Sequence, residues 1–137
     1  MREFVLDASF ALHWCFENEA TAETEAMLTL LQNQEWTAFV PGIFRYEMLN
    51  GLGKGVARGR LNRDKAALLW QEIQELPVRT VEVAVDEKLL DLALLHNLAI
   101  YDATYLSLAV ARRLSLATAD GKLQTAAHNL GILVLRP

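Results

Sequence analysis

The chain has 137 residues, of which 53% are apolar and 22% charged, and its formal net charge is −4. That length suits one self-sufficient core, so a single domain over 1–137 is expected. No tract is proline-rich, glycine/serine-rich or dominated by one charge sign, which excludes a disordered linker, and the lone Cys15 excludes an internal disulfide and a cysteine zinc cage.

The first element is a short strand over residues 3–7 (EFVLD), followed by a helical turn or two in ASFALHWCF. An amphipathic helix is expected over 18–34, capped by Asn18 and presenting Met27, Leu28, Leu30 and Leu31 toward one side. TAFVP reads as a second strand closed by Pro41. Phe44, Met48, Leu52 and Val56 then recur at steps of four, a helical stripe over 42–58. Gly51, Gly53 and Gly55 each weaken that helix by about 1 kcal/mol relative to alanine, so its second half is expected to fray or bend. A further helix runs from an Asn62 cap through Leu69, Ile73 and Leu76 to a stop at Pro77. RTVEVAV alternates as a strand, and Asp86 starts a helix that ends near Asn97. Asp102 leads the next helix, SLATAD is a strand ending on an acid, GKLQTAAHNL is a short helix stopped by Gly131, and ILVL is the last strand.

Strands alternating with helical crossovers imply a parallel sheet covered on both faces. The continuous apolar runs FVL and ILVL agree, because parallel strands are buried on both sides. The expected fold is α/β, a three-layer α/β/α sandwich around a parallel central sheet. No stretch approaches the about 20 apolar residues that span a bilayer, and the opening residues leave no room for a signal peptide, so no membrane association is expected and the cytoplasm is the expected location.

Ligands of open α/β sheets gather outside the carboxyl ends of the strands, where strand order reverses. Asp7 and Asp120 each lie at such an end, and Asp7 follows apolar Val5 and Leu6, where an unpaired charge is costly. Asp7, Asp102 and Asp120 also precede helical segments, and aspartate is a favoured N-cap worth about 1 kcal/mol. Capping explains each aspartate singly. It does not explain Glu47 inside a helix, on the shoulder of its apolar stripe, nor acids recurring at one edge of a sheet.

FVLDAS, RYEMLNGL, YDATYLSLA and LATADGKL, taken in order, resemble the PIN domain, and the whole chain is similar to the VapC-type ribonuclease toxins of bacterial toxin-antitoxin pairs. The resemblance implies an acidic quartet at Asp7, Glu47, Asp102 and Asp120, with Ser9 and Thr118 as supporting hydroxyls. It also implies an RNA substrate, a homodimer, and an antitoxin whose helix occupies an apolar groove for which Trp14, Phe16, Leu49 and Leu52 are candidates. Four clustered carboxylates repel, by roughly 4 kcal/mol per pair about 4 Å apart at an effective dielectric near 20, and a hard cation relieves this. All-oxygen ligands select Mg²⁺ or Mn²⁺, which activates water and offsets charge on a phosphoryl oxygen. Asp7, Asp102 and Asp120 are then expected to bind the ion, and Glu47 a second ion or the attacking water. The expected reaction is metal-dependent hydrolysis of RNA.

A basic run places Lys54, Arg58, Arg60, Arg63 and Lys65 near the helix bearing Glu47. It is either a solvated face or a strip for the RNA backbone, the latter set against the negative net charge. His13, His96 and His128 lack ligand spacing and read as ordinary residues. Two rivals stand beside the nuclease. An aspartyl-phosphate protein would use Asp7 as phosphoacceptor, yet that chemistry wants a second aspartate where Ser9 stands. A catalytically silent module would keep the fold and groove without the reaction.

Overall fold

The computed structural model describes residues 2–137. Five parallel strands form one sheet: β1 (Arg2–Leu6), β2 (Trp36–Val40), β3 (Val78–Thr80), β4 (Ser115–Ala117) and β5 (Val134–Leu135), in the order β3-β2-β1-β4-β5. Seven helices accompany them: α1 (Ala8–Ala11), α2 (Ala22–Gln32), α3 (Ile43–Ala57), α4 (Arg63–Glu75), α5 (Glu87–His96), α6 (Ile100–Arg112) and α7 (Gly121–Asn129). The expected α/β sandwich with a parallel sheet is present. None of the helices among the described residues is long and apolar enough to cross a membrane.

The chain starts in the middle of the sheet, moves outward through β2 to β3, and returns across β1 to lay down β4 and β5. With right-handed crossovers, α1 to α4 then cover one face and α5 to α7 the other. Packing of α1 on α3 and of α3 on α4, against α5 and α7 on α6, agrees. The strand order reverses between β1 and β4, which opens a crevice at their carboxyl ends. Phe4, Val5, Leu6, Leu116 and Ala117 are wholly buried there, so the two central strands are apolar on both sides until they emerge at Asp7 and Thr118.

Several local expectations are corrected. Helix α2 starts at Ala22, because Thr21 and Thr24 form a reciprocal cap: Thr24 N donates to Thr21 Oγ1 at 3.1 Å and Thr21 N to Thr24 Oγ1 at 2.9 Å. Asn18 sits in a separate 3₁₀ turn over Glu17–Glu19 and accepts from Arg60 instead. Strand β3 ends at Thr80, although the alternation continues to Val85. Its one neighbour, β2, stops at Pro41, so after Val81 N bonds Val40 O at 2.8 Å no ladder partner is left. Val81 and Val83 still pack on the core, and burial without pairing accounts for the pattern. Asp102 does not open its helix; α6 begins at Ile100 and Asp102 lies within the first turn.

Helix α3 runs unbroken through all three glycines, and two of them mark close approaches. A Cβ at Gly51 would lie 2.6 Å from Leu12 Cδ1, and one at Gly55 would lie 2.8 Å from the Phe16 ring. Phe16 is itself covered by Arg60, whose guanidinium stands 4.1 Å above the ring while bonding Asn18 and Glu19. Phe16 and Leu52 are therefore core residues, Phe16 also lining a surface cavity with Arg60 and Leu61, while Leu49 is exposed and Trp14 is part-buried. Cys15 is buried as expected, its thiol pushed up to about 12 chiefly by desolvation.

Gly53 has open space around it, so Gly53→Ala should stabilise the fold by about 1 kcal/mol through helix propensity. Gly55→Ala should cost about 1–3 kcal/mol through overpacking against Phe16. Urea unfolding of the two variants checks the opposite signs.

Candidate active site

Asp7 is the first residue past β1, and its backbone continues the ladder through Asp7 N to Ala117 O at 2.9 Å. It precedes α1, but its side chain makes no cap bond. One oxygen, Oδ2, instead accepts from Ser9 Oγ at 2.5 Å and from Thr118 Oγ1 at 2.6 Å. The hydroxyls are in turn held by the chain beyond β4: Ala119 N donates to Ser9 Oγ at 2.9 Å and Asp120 N to Thr118 Oγ1 at 3.0 Å. Ser9 and Thr118 thus tie the turn after β1 to the turn after β4, with the Asp7 carboxylate as their shared acceptor.

The other acids reach this edge by three routes. Asp120 caps α7, its Oδ1 accepting from Lys122 N at 2.9 Å and Leu123 N at 3.4 Å, and no described residue bonds Oδ2. Helix α6 ends two residues before β4, so its C-terminus lies at the starting edge of the strands and Asp102, in its first turn, at the opposite carboxyl edge. Helix α3 follows β2 after two residues and carries Glu47 in its second turn. The capping explanation therefore holds for Asp120 and fails for Asp7 and Asp102.

Tyr105, one turn beyond Asp102 and wholly buried, donates its hydroxyl to Glu47 Oε1 at 2.7 Å. This bond joins helices from the two faces of the sheet across the end of β1. Periodicity classes Tyr105 simply as core; the signal available was a phenol on the buried face of α6, where its polar tip needs a partner.

The four carboxylates lie within one another's fields. Burial raises the Asp7 pKa above the ordinary carboxylate value; the two hydroxyls offset part of the rise and Asp120 adds to it. Burial likewise raises Glu47, with Asp7 and Asp102 adding and the Tyr105 hydrogen bond opposing. Asp102 is raised by burial, then by Asp120 and Asp7, with Lys122 opposing. Burial and the neighbouring Asp7 and Glu47 drive the Tyr105 phenol far up, so it stays a donor. Desolvation is the larger cause of each rise, and the neighbouring carboxylates add to it as like charges do when nothing neutralises them. Among the described residues, no three His, Cys, Asp or Glu side chains are drawn together as a ready metal cage, so the four acids face one crevice without closing on a common point.

The basic run is only partly free. Arg60 is engaged with Phe16, Asn18 and Glu19, and Arg63 pairs with Asp64 at 3.3 Å on the surface. Lys54 on α3 and Arg58 at its C-cap are exposed and stand 7 and 11 positions beyond Glu47. Both fall within about 20° of its direction around the axis, about 10 and 16 Å along it.

A family model described as the PIN domain matches residues 4–129. The chain belongs to the PIN-domain family. Its fold is similar to that of PAE2754 from Pyrobaculum aerophilum, with a TM-score of 0.74 and 22% identity over 98% of this chain and 84% of that one. It is similar to VapBC2 from Rickettsia felis, solved bound to a DNA fragment from its promoter, with a TM-score of 0.68 and 13% identity over 98% of each chain. It is also similar to VapC20 from Mycobacterium tuberculosis, described as a sarcin-ricin loop cleaving toxin, with a TM-score of 0.62 and 15% identity over 90% of this chain and 94% of that one. At these identities the likeness is one of fold. No curated protein matches the sequence. In this PIN domain the crevice between β1 and β4 is the edge at which the acids gather.

A raised carboxyl pKa has a definite sign in stability. The protonated form is favoured in the folded state, so the contribution is full below the unfolded value and is lost as pH rises through the folded one. Without divalent cations, Asp7→Asn should match the wild type in melting temperature near pH 4 and exceed it increasingly toward pH 8. The Asn oxygen can still accept both hydroxyls, so differential scanning calorimetry across that range reads the charge alone.

Proposed function

We propose that this protein is a divalent-metal-dependent ribonuclease, formed as one domain and acting as the toxin of a toxin-antitoxin pair. The observation that carries the reading is the gathering of acids at the crevice between the central strands, where Asp7, Glu47 and Asp102 are desolvated and repelled by neighbouring carboxylates and, among the described residues, Lys122 alone opposes this as a cation, at Asp102. The RNA substrate and the antitoxin are supported by the PIN family and by the fold's likeness to VapC20 and VapBC2.

The donor set fits a hard cation, because every candidate ligand is a carboxylate oxygen. Asp7, Asp102 and Asp120 would hold Mg²⁺ or Mn²⁺, and a loose acid ring suits an ion that keeps several waters. When bound, such an ion lowers the pKa of a water and offsets charge on the phosphoryl oxygen. The rest belongs to the chain. Ser9 and Thr118 fix Asp7 by occupying Oδ2, which leaves Oδ1 directed to its neighbours. The Asp120 carboxylate is steadied by its cap bonds, and Oδ2 remains available. Tyr105 holds Glu47 by one oxygen, and the other, in a half-buried carboxyl of raised pKa, is placed to orient a water and take its proton.

Lys54 and Arg58 continue from Glu47 along one side of α3 and would receive the RNA backbone, whereas Arg60 is reserved for the fold. For the antitoxin we favour the cavity of about 400 Å³ lined by Trp14, Leu28, Leu69, Ile73 and Leu76 between α2 and α4. Exposed Leu94 and Leu95 on α5 support the proposed homodimer.

Wild-type protein should cleave single-stranded RNA with Mg²⁺ or Mn²⁺ and stop on chelation. Asp7→Asn should lose at least about 100-fold in kcat, and Thr118→Val about 10- to 100-fold by freeing the Asp7 carboxylate. Full activity of Asp7→Asn, or activity in excess chelator, would overturn the assignment. Saturable stabilisation by Mn²⁺ without cleavage of any RNA would point to the silent module.

A further inference from the structure

One cleft on the same edge is not accounted for by the acid cluster. It has a volume of about 400 Å³ and lies between the end of α5 and the length of α7, from Gly121 and Lys122 at its start to Asn129 at its end, with His96, Asn97 and Thr125 also in the lining. Its lining holds a lysine, a histidine, a threonine and two asparagines, and no carboxylate. In a chain of net charge −4 the cleft thus keeps a carboxylate-free lining directly beside the acids at the end of β4. His96 Nε2 is buried and has no hydrogen-bond partner among the described residues. A buried ring nitrogen left unpaired is uncommon, and a turn of the His96 ring, which lines the cleft, would bring Nε2 to an acceptor delivered by a ligand.

The backbone amides at the start of α7 are not the attraction, because Asp120 already takes those of Lys122 and Leu123. The donors are side chains: the Lys122 ammonium, the two amides and the imidazole. Such a set, without acids, selects a compact anion with several oxygens, and phosphate fits it. Position decides which phosphate. Gly121 in the cleft wall directly follows Asp120 of the acid cluster, and Lys122 is close enough to Asp102 to lower its pKa.

We propose that this cleft binds the phosphate next to the one under attack, with Lys122 and His96 Nε2 as its principal donors, so that Lys122 positions the RNA strand. The inference rests on the nuclease reading and deepens it. A phosphodiester chain carries its next charge one nucleotide away, and on the α7 side of the acids this cleft is where a cation meets it. Lys122 thus works in two directions, drawing the adjacent phosphate in while easing Asp102.

The test uses the full chain in the Asp7→Asn background, with Mg²⁺ present and a fluorescent single-stranded RNA decamer as the probe. Anisotropy is followed over a series of salt concentrations. Lys122→Gln should weaken binding about 5- to 10-fold and shrink the salt slope by about 0.7, the value for one lost contact on a single strand. Asn129→Asp, which places a carboxylate in the cleft, should weaken it further. Lys88→Gln, which removes the same charge at the opposite end of α5, should change neither quantity. Wild-type affinity and slope in both cleft variants would overturn the proposal. If the unsubstituted protein still cleaves the same RNA with Mg²⁺, the nuclease reading survives that result; if it neither binds nor cleaves, both fall.

Discussion

The site depends on the sharing of one oxygen. Asp7 Oδ2 accepts two hydroxyl hydrogen bonds, from Ser9 on its own side and from Thr118 across the crevice. Each hydroxyl also receives a backbone N–H from the turn after β4. A serine or threonine oxygen can donate once and accept twice, so both groups work close to capacity. Two loops that only a parallel sheet could bring together are held in register by an otherwise unfavourable buried carboxylate. The charge is costly, and the bonds it organises are charge-assisted and correspondingly strong.

The same edge collects its remaining acids through helices rather than strands. Glu47 and Asp102 arrive on α3 and α6, which cover opposite faces, and Tyr105 bridges them over the end of β1. The phenol is too strongly desolvated to ionise and therefore adds no charge to a place that has too many. Its hydrogen bond lowers the Glu47 pKa while burial and the other acids raise it. The protein therefore holds its acids near one another by neutral donors, two alcohols and a phenol, and leaves their repulsion unresolved. A fold that keeps such a conflict gives up stability at that edge.

Most of this was legible in one sequence because the strongest local signals and the global topology agree. The apolar runs ending at Asp7 and after Ala117 locate the two central strands, and the alternation of elements implies the parallel sheet. What misled was competition between equally good local rules. Asn18 is a sound cap in isolation, yet Thr21 and Thr24 cap each other. The alternation over 79–85 reflects burial beneath a partner that has already ended. Glycines that cost α3 propensity are needed where Leu12 and Phe16 press against it, a contact from a distant segment that no helical pattern contains. Tyr105 was hidden for the same reason, since its partner lies 58 positions away.

Asp120 shows why capping and function could not be separated by inspection. One oxygen satisfies two helix N–H groups while no described residue bonds the other, so the cap alone does not use up the carboxylate. The cap bonds fix the direction of this carboxylate at the N-terminus of α7. Asp7 and Asp102 occupy similar places in the chain without making such bonds, and burial raises both. Environment thus divides residues of one type into a carboxylate engaged by backbone donors of its helix and others that make no such cap bonds. The distinction rests on which donors the tertiary fold supplies, and Lys122, one residue past the start of α7, is where it supplies a positive one.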